Sequence, residues 1–218
     1  AATTDPELDP AGFVEFNNIL FLAHGRFLSY ALGSGGPNWA EDKDFGTGVT
    51  IKDLIVHNNE LVVAMGGSTN KIWTRNTGGT YTQATNNTYA DYFAKVEARL
   101  WRATATNEVS NIGPTDNPLT LANWSSGITV GDDDVPITDL NSYGEQVAVS
   151  KEDGLFLGDL GAVFPNVLPE VALQRDAANG VGTLSIGSRI FYPYKDGLKI
   201  YDNGVSDEVG IATRFQSA

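Results

Sequence analysis

Between Ile51 and Tyr81 the apolar and polar positions come in short bursts, not at helical spacing. Asp53 to His57 alternates and is rich in β-forming residues. His57-Asn58-Asn59-Glu60 reads as a turn, and Leu61 to Met65 as a compact apolar run of strand length. Gly66 to Asn70 is a second turn, Lys71 to Arg75 a third strand, and Asn76 to Gly79 a third turn before Thr80 to Gln83. Short strands bounded by Asn and Gly clusters predict a meander of hairpins.

The pattern recurs. The apolar residue opening each second strand is Leu20, then Leu61, Leu100, Val147 and Ile190. Each is preceded by an alternating strand: Phe13–Phe16, Asp53–Val56, Tyr92–Val96, Thr138–Asn141 and Thr183–Ile186. The last two repeats continue with matching Asp-Gly turns, Asp153-Gly154 and Asp196-Gly197. Outer strands are expected near Trp39, Thr80–Gln83, Trp124–Val130, Ala162–Val167 and Glu208–Thr213. A period of roughly 40–45 residues with four strands per unit is the signature of a β-propeller blade. The predicted fold class is therefore all-β, a propeller of about five four-stranded antiparallel blades. Residues 1–11 read as a polar arm, and 12–218 as a single propeller domain with blades near 12–50, 51–88, 89–135, 136–180 and 181–218. The five blades either close as one ring or belong to a larger one, and closure within the chain is preferred because an open arc exposes two apolar faces. Thr88–Arg102 is the stretch that best tolerates a helix, but it lies in register with the repeat and is read as strands.

Composition narrows the function classes. The 218 residues carry a net charge of −13. That opposes nucleic acid, whose phosphates need Lys and Arg, and an anionic membrane surface. With no cysteine, disulfides and thiol chemistry are out. No apolar run approaches the ~20 residues of a membrane helix, and no signal peptide is legible. The loops Gly33–Gly48 and Gly113–Asn123, rich in Pro, Gly and Asp, are the kind that carry binding.

Thr74-Arg75-Asn76-Thr77-Gly78-Gly79-Thr80-Tyr81 resembles the Asp-box of sialidase-like (BNR-repeat) propellers: Thr74, Gly78, Thr80 and Tyr81 match, and Asn76 replaces the aspartate. In that family the box is a folding turn, which is what the resemblance implies here. The run Gly127–Asp159, with Gly182–Asp202, is similar to blades of bacteriophage virion propeller proteins. That implies a virion or extracellular setting and other virion or surface proteins as partners.

Candidate chemistry is sparse. The seven arginines show no sialidase triad, and 27 acidic residues make carboxylate pairs for a glycan-active hydrolase uninformative. His24 and His57 have no ligand partner at sequence spacing. Asp53, Asp91 and Asp139 begin inner strands, and oxygen ligands of this type suit Ca²⁺. The competing reading is that each caps its own turn. Asp132-Asp133-Asp134 reads as a solvated loop. Trp39 and Trp124, in or beside loops, could stack on sugars, whereas Trp73 and Trp101 should pack between blades. The expectation is a non-enzymatic structural and interaction module in a phage particle. The alternatives are a carbohydrate- or receptor-binding propeller and, behind it, a hydrolase. No cofactor beyond the calcium candidate is expected.

Overall fold

The computed structural model describes residues 10–33, 38–104, 106–161, 163–168, 183–194, 197–202 and 205–209. Among them the chain is all-β, with one 3-10 turn at Leu121–Asn123. Five antiparallel sheets follow one another in chain order, each strand beside its predecessor. The first holds β1 (Pro10–Phe16), β2 (Ile19–His24), β3 (Phe27–Ala31) and β4 (Trp39–Asp44). The second holds β5 (Asp53–His57), β6 (Glu60–Ala64), β7 (Trp73–Arg75) and β8 (Tyr81–Gln83). The third holds β9 (Tyr92–Val96), β10 (Arg99–Ala103), β11 (Glu108–Ile112) and β12 (Ile128–Thr129), so the Thr88–Arg102 stretch is strand and not helix. The fourth holds β13 (Ile137–Tyr143), β14 (Gln146–Lys151) and β15 (Gly154–Gly158). The fifth holds β16 (Leu184–Ile186), β17 (Arg189–Tyr194), β18 (Gly197–Asp202) and β19 (Val205–Val209).

The fourth sheet has three strands. Along β15, where the sequence predicts a fourth strand at 162–167, the described residues show a bridge between Phe156 and Asn166, and residue 162 lies outside them. Pro165 gives its carbonyl to Leu157 N but has no N–H to return, which breaks the ladder at one residue. Lys195-Asp196 and the end of the last predicted strand, from residue 210, lie outside the described residues.

The first hairpin of each sheet turns on two residues. Asn17-Asn18 and Asn58-Asn59 have positive φ at both positions, which a type I′ turn requires and Asn tolerates. Glu97 (φ 49°) and Ala98 (φ 64°) adopt the same conformation without that tolerance. The last two sheets place Gly144 and Gly187 at the first turn position.

Two compact units make up the chain, Ala1–Phe93 with Asn111–Ser125, and Ala94–Ser110 with Ser126–Ala218. In the first, one core lies between two sheets. Strand register assigns the faces: Val14 pairs with Phe21 and Phe16 with Ile19 on the face turned to the second sheet. That sheet answers with Leu54 opposite Val63 and Val56 opposite Leu61. Phe16, Phe21, Ala23, Leu28, Ile51, Leu54, Leu61, Val63 and Met65 form the buried cluster, with Ile19 and Val56 at its margin. Within this unit a sheet thus has a forward face, turned to the next sheet, and a back face, turned to the preceding one. The second unit repeats the arrangement: Ala148, Leu155 and Leu157 on the forward face of the fourth sheet pack against Ile190, Tyr192 and Tyr201 of the fifth.

Candidate interaction site

Between β11 and β12, a connection described throughout runs from Gly113 to Trp124. Its turns are built by side chains. Asp116 accepts the Gly113 N–H at 2.8 Å, Asn117 accepts the Leu119 N–H at 2.8 Å, and Asn123 Nδ2 donates to the Asn117 carbonyl at 3.1 Å. The whole loop is tied to the second sheet. Asn58 donates to the Thr115 carbonyl at 3.1 Å. His57, fully buried at the end of β5, lies 3.2 Å through Nε2 from the Asp116 carbonyl. Since a carbonyl only accepts, Nε2 carries the proton. Leu121 stands out from this frame, 41% exposed.

Trp124 is the inner pin of the loop. It is buried, and its indole N–H donates to the Pro118 carbonyl at 3.0 Å. Its expected role as a sugar-stacking platform is therefore corrected, because the ring faces protein. Trp39 lies half-buried on β4, its ring 6.2 Å from that of Phe13. Trp101 is buried against Phe164, and Trp73 packs edge-on to Phe45, both as expected.

The three aspartates with a calcium reading are occupied otherwise. Asp53 accepts the Leu54 N–H with one oxygen and the Phe93 N–H of the third sheet with the other, both at 2.7 Å. Asp139 accepts the Leu140 N–H at 2.8 Å. Its second oxygen takes the N–H and hydroxyl of Thr183 at 3.1 and 2.8 Å and the Asn141 amide at 3.0 Å. Asp91 accepts the Gly67 N–H at 2.6 Å. Counted back from the first hairpin turn, Asp53 and Asp139 occupy the same place in their repeats, and Phe93 and Thr183 are equivalent one place later. These carboxylates are clasps from one sheet to the next. They cap locally, as the competing reading had it, and also reach 40 and 44 residues onward. Among the described residues the one group of three acids that could converge on an ion is Asp132, Asp133 and Asp134, all exposed. Beside it Lys151 is fully buried, donating to the Val130 and Asp132 carbonyls. Burial pushes its ammonium below the ordinary value, against the pull of Asp153, Asp132 and Asp133.

The Asp-box-like turn is a folding element. Asn76 Oδ1 accepts the Thr80 N–H at 2.9 Å, and Thr74 is buried. Gly79 takes φ 83°, open to glycine at little cost. Next to the turn is a cluster the sequence did not announce. Arg75 holds Asp42 with both Nε (2.6 Å) and Nη2 (3.3 Å), and the Tyr81 hydroxyl donates to the same carboxylate. The pair is largely shielded, and the guanidinium lies 4.9 Å from the Phe21 ring centre. Asp42 is 33 residues from Arg75, and no local spacing signals the contact. His24 is buried beside Ser29 at 2.9 Å, and burial lowers its pKa against the opposing charge of Glu41. Burial brings Arg102 down to about 10, with Glu108 opposing, and its Nε donates to Ser110.

No family model matches the chain, and no curated protein does. Solved structures are similar in fold. Selenomethionine-substituted virginiamycin B lyase from Staphylococcus aureus superposes at TM-score 0.67 and 9% identity, over 96% of this chain and 72% of that one. The Neurospora crassa Pan2 WD40 domain gives 0.65 and 8%, over 92% and 65%. YCF48 bound to D1 peptide gives 0.58 and 11%, over 93% and 67%. These neighbours are β-propellers, and the chain has that fold. It spans about two thirds of their length, and a third or less of some longer matches. At these identities the likeness is one of fold alone; it shows neither the Asp-box family nor a phage particle. It does correct one expectation. The sequence reads as that of a non-enzyme, yet a lyase stands on this fold, so architecture and the lack of a legible motif do not exclude catalysis.

Proposed function

We propose that this chain is a protein-interaction propeller that presents the Gly113–Trp124 loop to a partner. The observation that supports it is the pre-ordering of the loop, held by His57, Asn58 and Trp124 with Leu121 outward. A loop already held in one conformation loses little entropy on binding, which favours affinity. A propeller neighbour carrying a bound peptide is consistent with this use of the fold. The net charge of −13 favours a partner face rich in Lys and Arg, with electrostatics speeding encounter. A virion or cell-surface setting is the finer form of the proposal and rests on the sequence resemblance.

The test uses a photo-crosslinking residue at Leu121 in the native source. A specific crosslinked protein is expected, lost when the 113–124 loop is replaced by a Gly-Ser linker. An unchanged set of crosslinked proteins from the linker variant overturns the proposal. A virion or surface protein among them would support the finer form.

A further inference from the structure

Lys43 stands between two aspartates, and each of them is held by an arginine. Asp42 receives Arg75 and Asp44 receives Arg26. Among the described residues no carboxylate pairs with Lys43 itself. Its ammonium lies instead over two aromatic rings, 5.5 Å from the Trp73 centre and 5.8 Å from that of Tyr81. Phe45 closes a third side, steep to both rings at 67° and 85° and 5.5 and 5.8 Å from their centres. Residues 73 and 75 share one side of β7, and register sets Tyr81 opposite Arg75, so Trp73, Arg75 and Tyr81 lie on one face of the second sheet. β4 meets that face through an irregularity. Leu28 pairs with Lys43 but Ser29 with Glu41, which makes Asp42 the extra residue of a bulge. Neighbours on a regular strand point to opposite faces. Here both turn to the second sheet, Asp42 to Arg75 and Tyr81, and Lys43 to the rings.

Aromatic faces around a cation that has no carboxylate partner are the chemistry that selects alkylammonium groups. Lys43, Phe45, Trp73 and Tyr81 are all half-buried, so the rings keep a wetted side. Lys43 is a loose occupant, because both of its distances lie near the ~6 Å limit of such contacts. A primary ammonium is also strongly hydrated. A quaternary ammonium has no N–H to keep wet and spreads its charge over methyl groups, so it gains more from the same rings. The net charge of −13 attracts it. We propose that Phe45, Trp73 and Tyr81 form a binding site for a quaternary alkylammonium group, and that Lys43 is a built-in competitor which the ligand displaces. Trimethylated lysine side chains and phosphate esters of choline share this chemistry.

An NMR titration of the 218-residue chain with choline tests this, read at the assigned indole N–H signals of the four tryptophans. Choline is expected to shift Trp73 and to leave Trp39, Trp101 and Trp124 in place. Dimethylbutanol, its uncharged carbon isostere, should shift none of them. Lys43→Ala alters a half-buried side chain and should stay folded by circular dichroism. It should bind choline about three- to tenfold more tightly than wild type, the worth of one competing cation–π contact. Lys43→Arg restores a competing cation and should bind as weakly as wild type. Two further titrants separate the sources. Tighter binding of N-acetyl-trimethyllysine amide than of choline supports a protein side chain as the ligand, and tighter binding of phosphocholine supports a choline phosphate ester. No shift at Trp73 in wild type or Lys43→Ala at tens of millimolar choline overturns the site. Equal binding of dimethylbutanol overturns recognition of the cation, and an unchanged affinity in Lys43→Ala overturns the displacement of Lys43.

Discussion

Asp53 accepts the backbone N–H of Phe93 at 2.7 Å, joining the first residue of β5 to the second residue of β9. Asp139 makes the equivalent bond to Thr183. A carboxylate accepting N–H groups in a part-buried site is a strong acceptor, and losing it leaves both donors short of a partner. Asp53→Ala and Asp139→Ala should each destabilise by about 1.5–3 kcal/mol in urea unfolding. Millimolar calcium should leave the melting temperature of wild type unchanged, since both carboxylates already accept hydrogen bonds. A calcium-dependent rise, lost in these variants, would restore the metal reading.

Asp42 receives Arg75 and Tyr81 in a shielded site. Arg75→Ala strands that carboxylate and should cost about 3–5 kcal/mol, whereas Tyr81→Phe removes one hydrogen bond and should cost about 1–2 kcal/mol. Burial first, then the bond to Asp42 and its charge, hold the Tyr81 phenol far above its ordinary 10. The unfolded chain loses that proton first. The contribution to stability is complete below about pH 10 and falls as pH rises toward the folded value. Absorbance titration should show Tyr81 among the tyrosines still protonated after the exposed ones have ionised, and Tyr81→Phe should lower that late-ionising fraction by one of the eight.

His24 carries the opposite sign of linkage. Its folded pKa lies below the ordinary 6.5, chiefly through burial. Its contribution is present above about pH 6.5 and is lost as pH falls through the folded value. His24→Gln should flatten the acid limb of the stability profile in that window. An unchanged profile would assign the acid loss to carboxylates.

Trp124 is buried and hydrogen-bonded inside its own loop. Trp124→Ala should cost about 3–5 kcal/mol and loosen the 113–124 segment in hydrogen exchange. Leu121→Asp, at an exposed place, should leave the melting temperature within a degree or two while abolishing partner capture. The contrast separates the pin from the contact.

Glu97 and Ala98 hold left-handed backbone that costs about 1–2 kcal/mol per residue for ordinary side chains. The double change Glu97→Asn with Ala98→Gly supplies the Asn-Gly pair that a type I′ turn favours. It should raise stability by about 0.5–2 kcal/mol in thermal unfolding.

What was legible in the sequence is what short-range rules govern. Period-2 alternation with the Asn58-Asn59 turn placed β5 at its observed bounds, and register with the recurring anchor residue placed β9 and ordered five sheets along the chain. Such signals are local because strand and turn preferences act within a few residues. The Asp-box-like run likewise showed its turn, since Asn76 and Thr80 are four residues apart. Tertiary structure decided the rest. The sequence left Asp53 and Asp139 between a calcium ligand and a local cap, and neither reading gives a view of Phe93 and Thr183, 40 and 44 residues onward. Trp124 looked like a platform because burial of an indole depends on how its loop folds back on Pro118. Asp42 came into view only with Arg75 and Tyr81 around it.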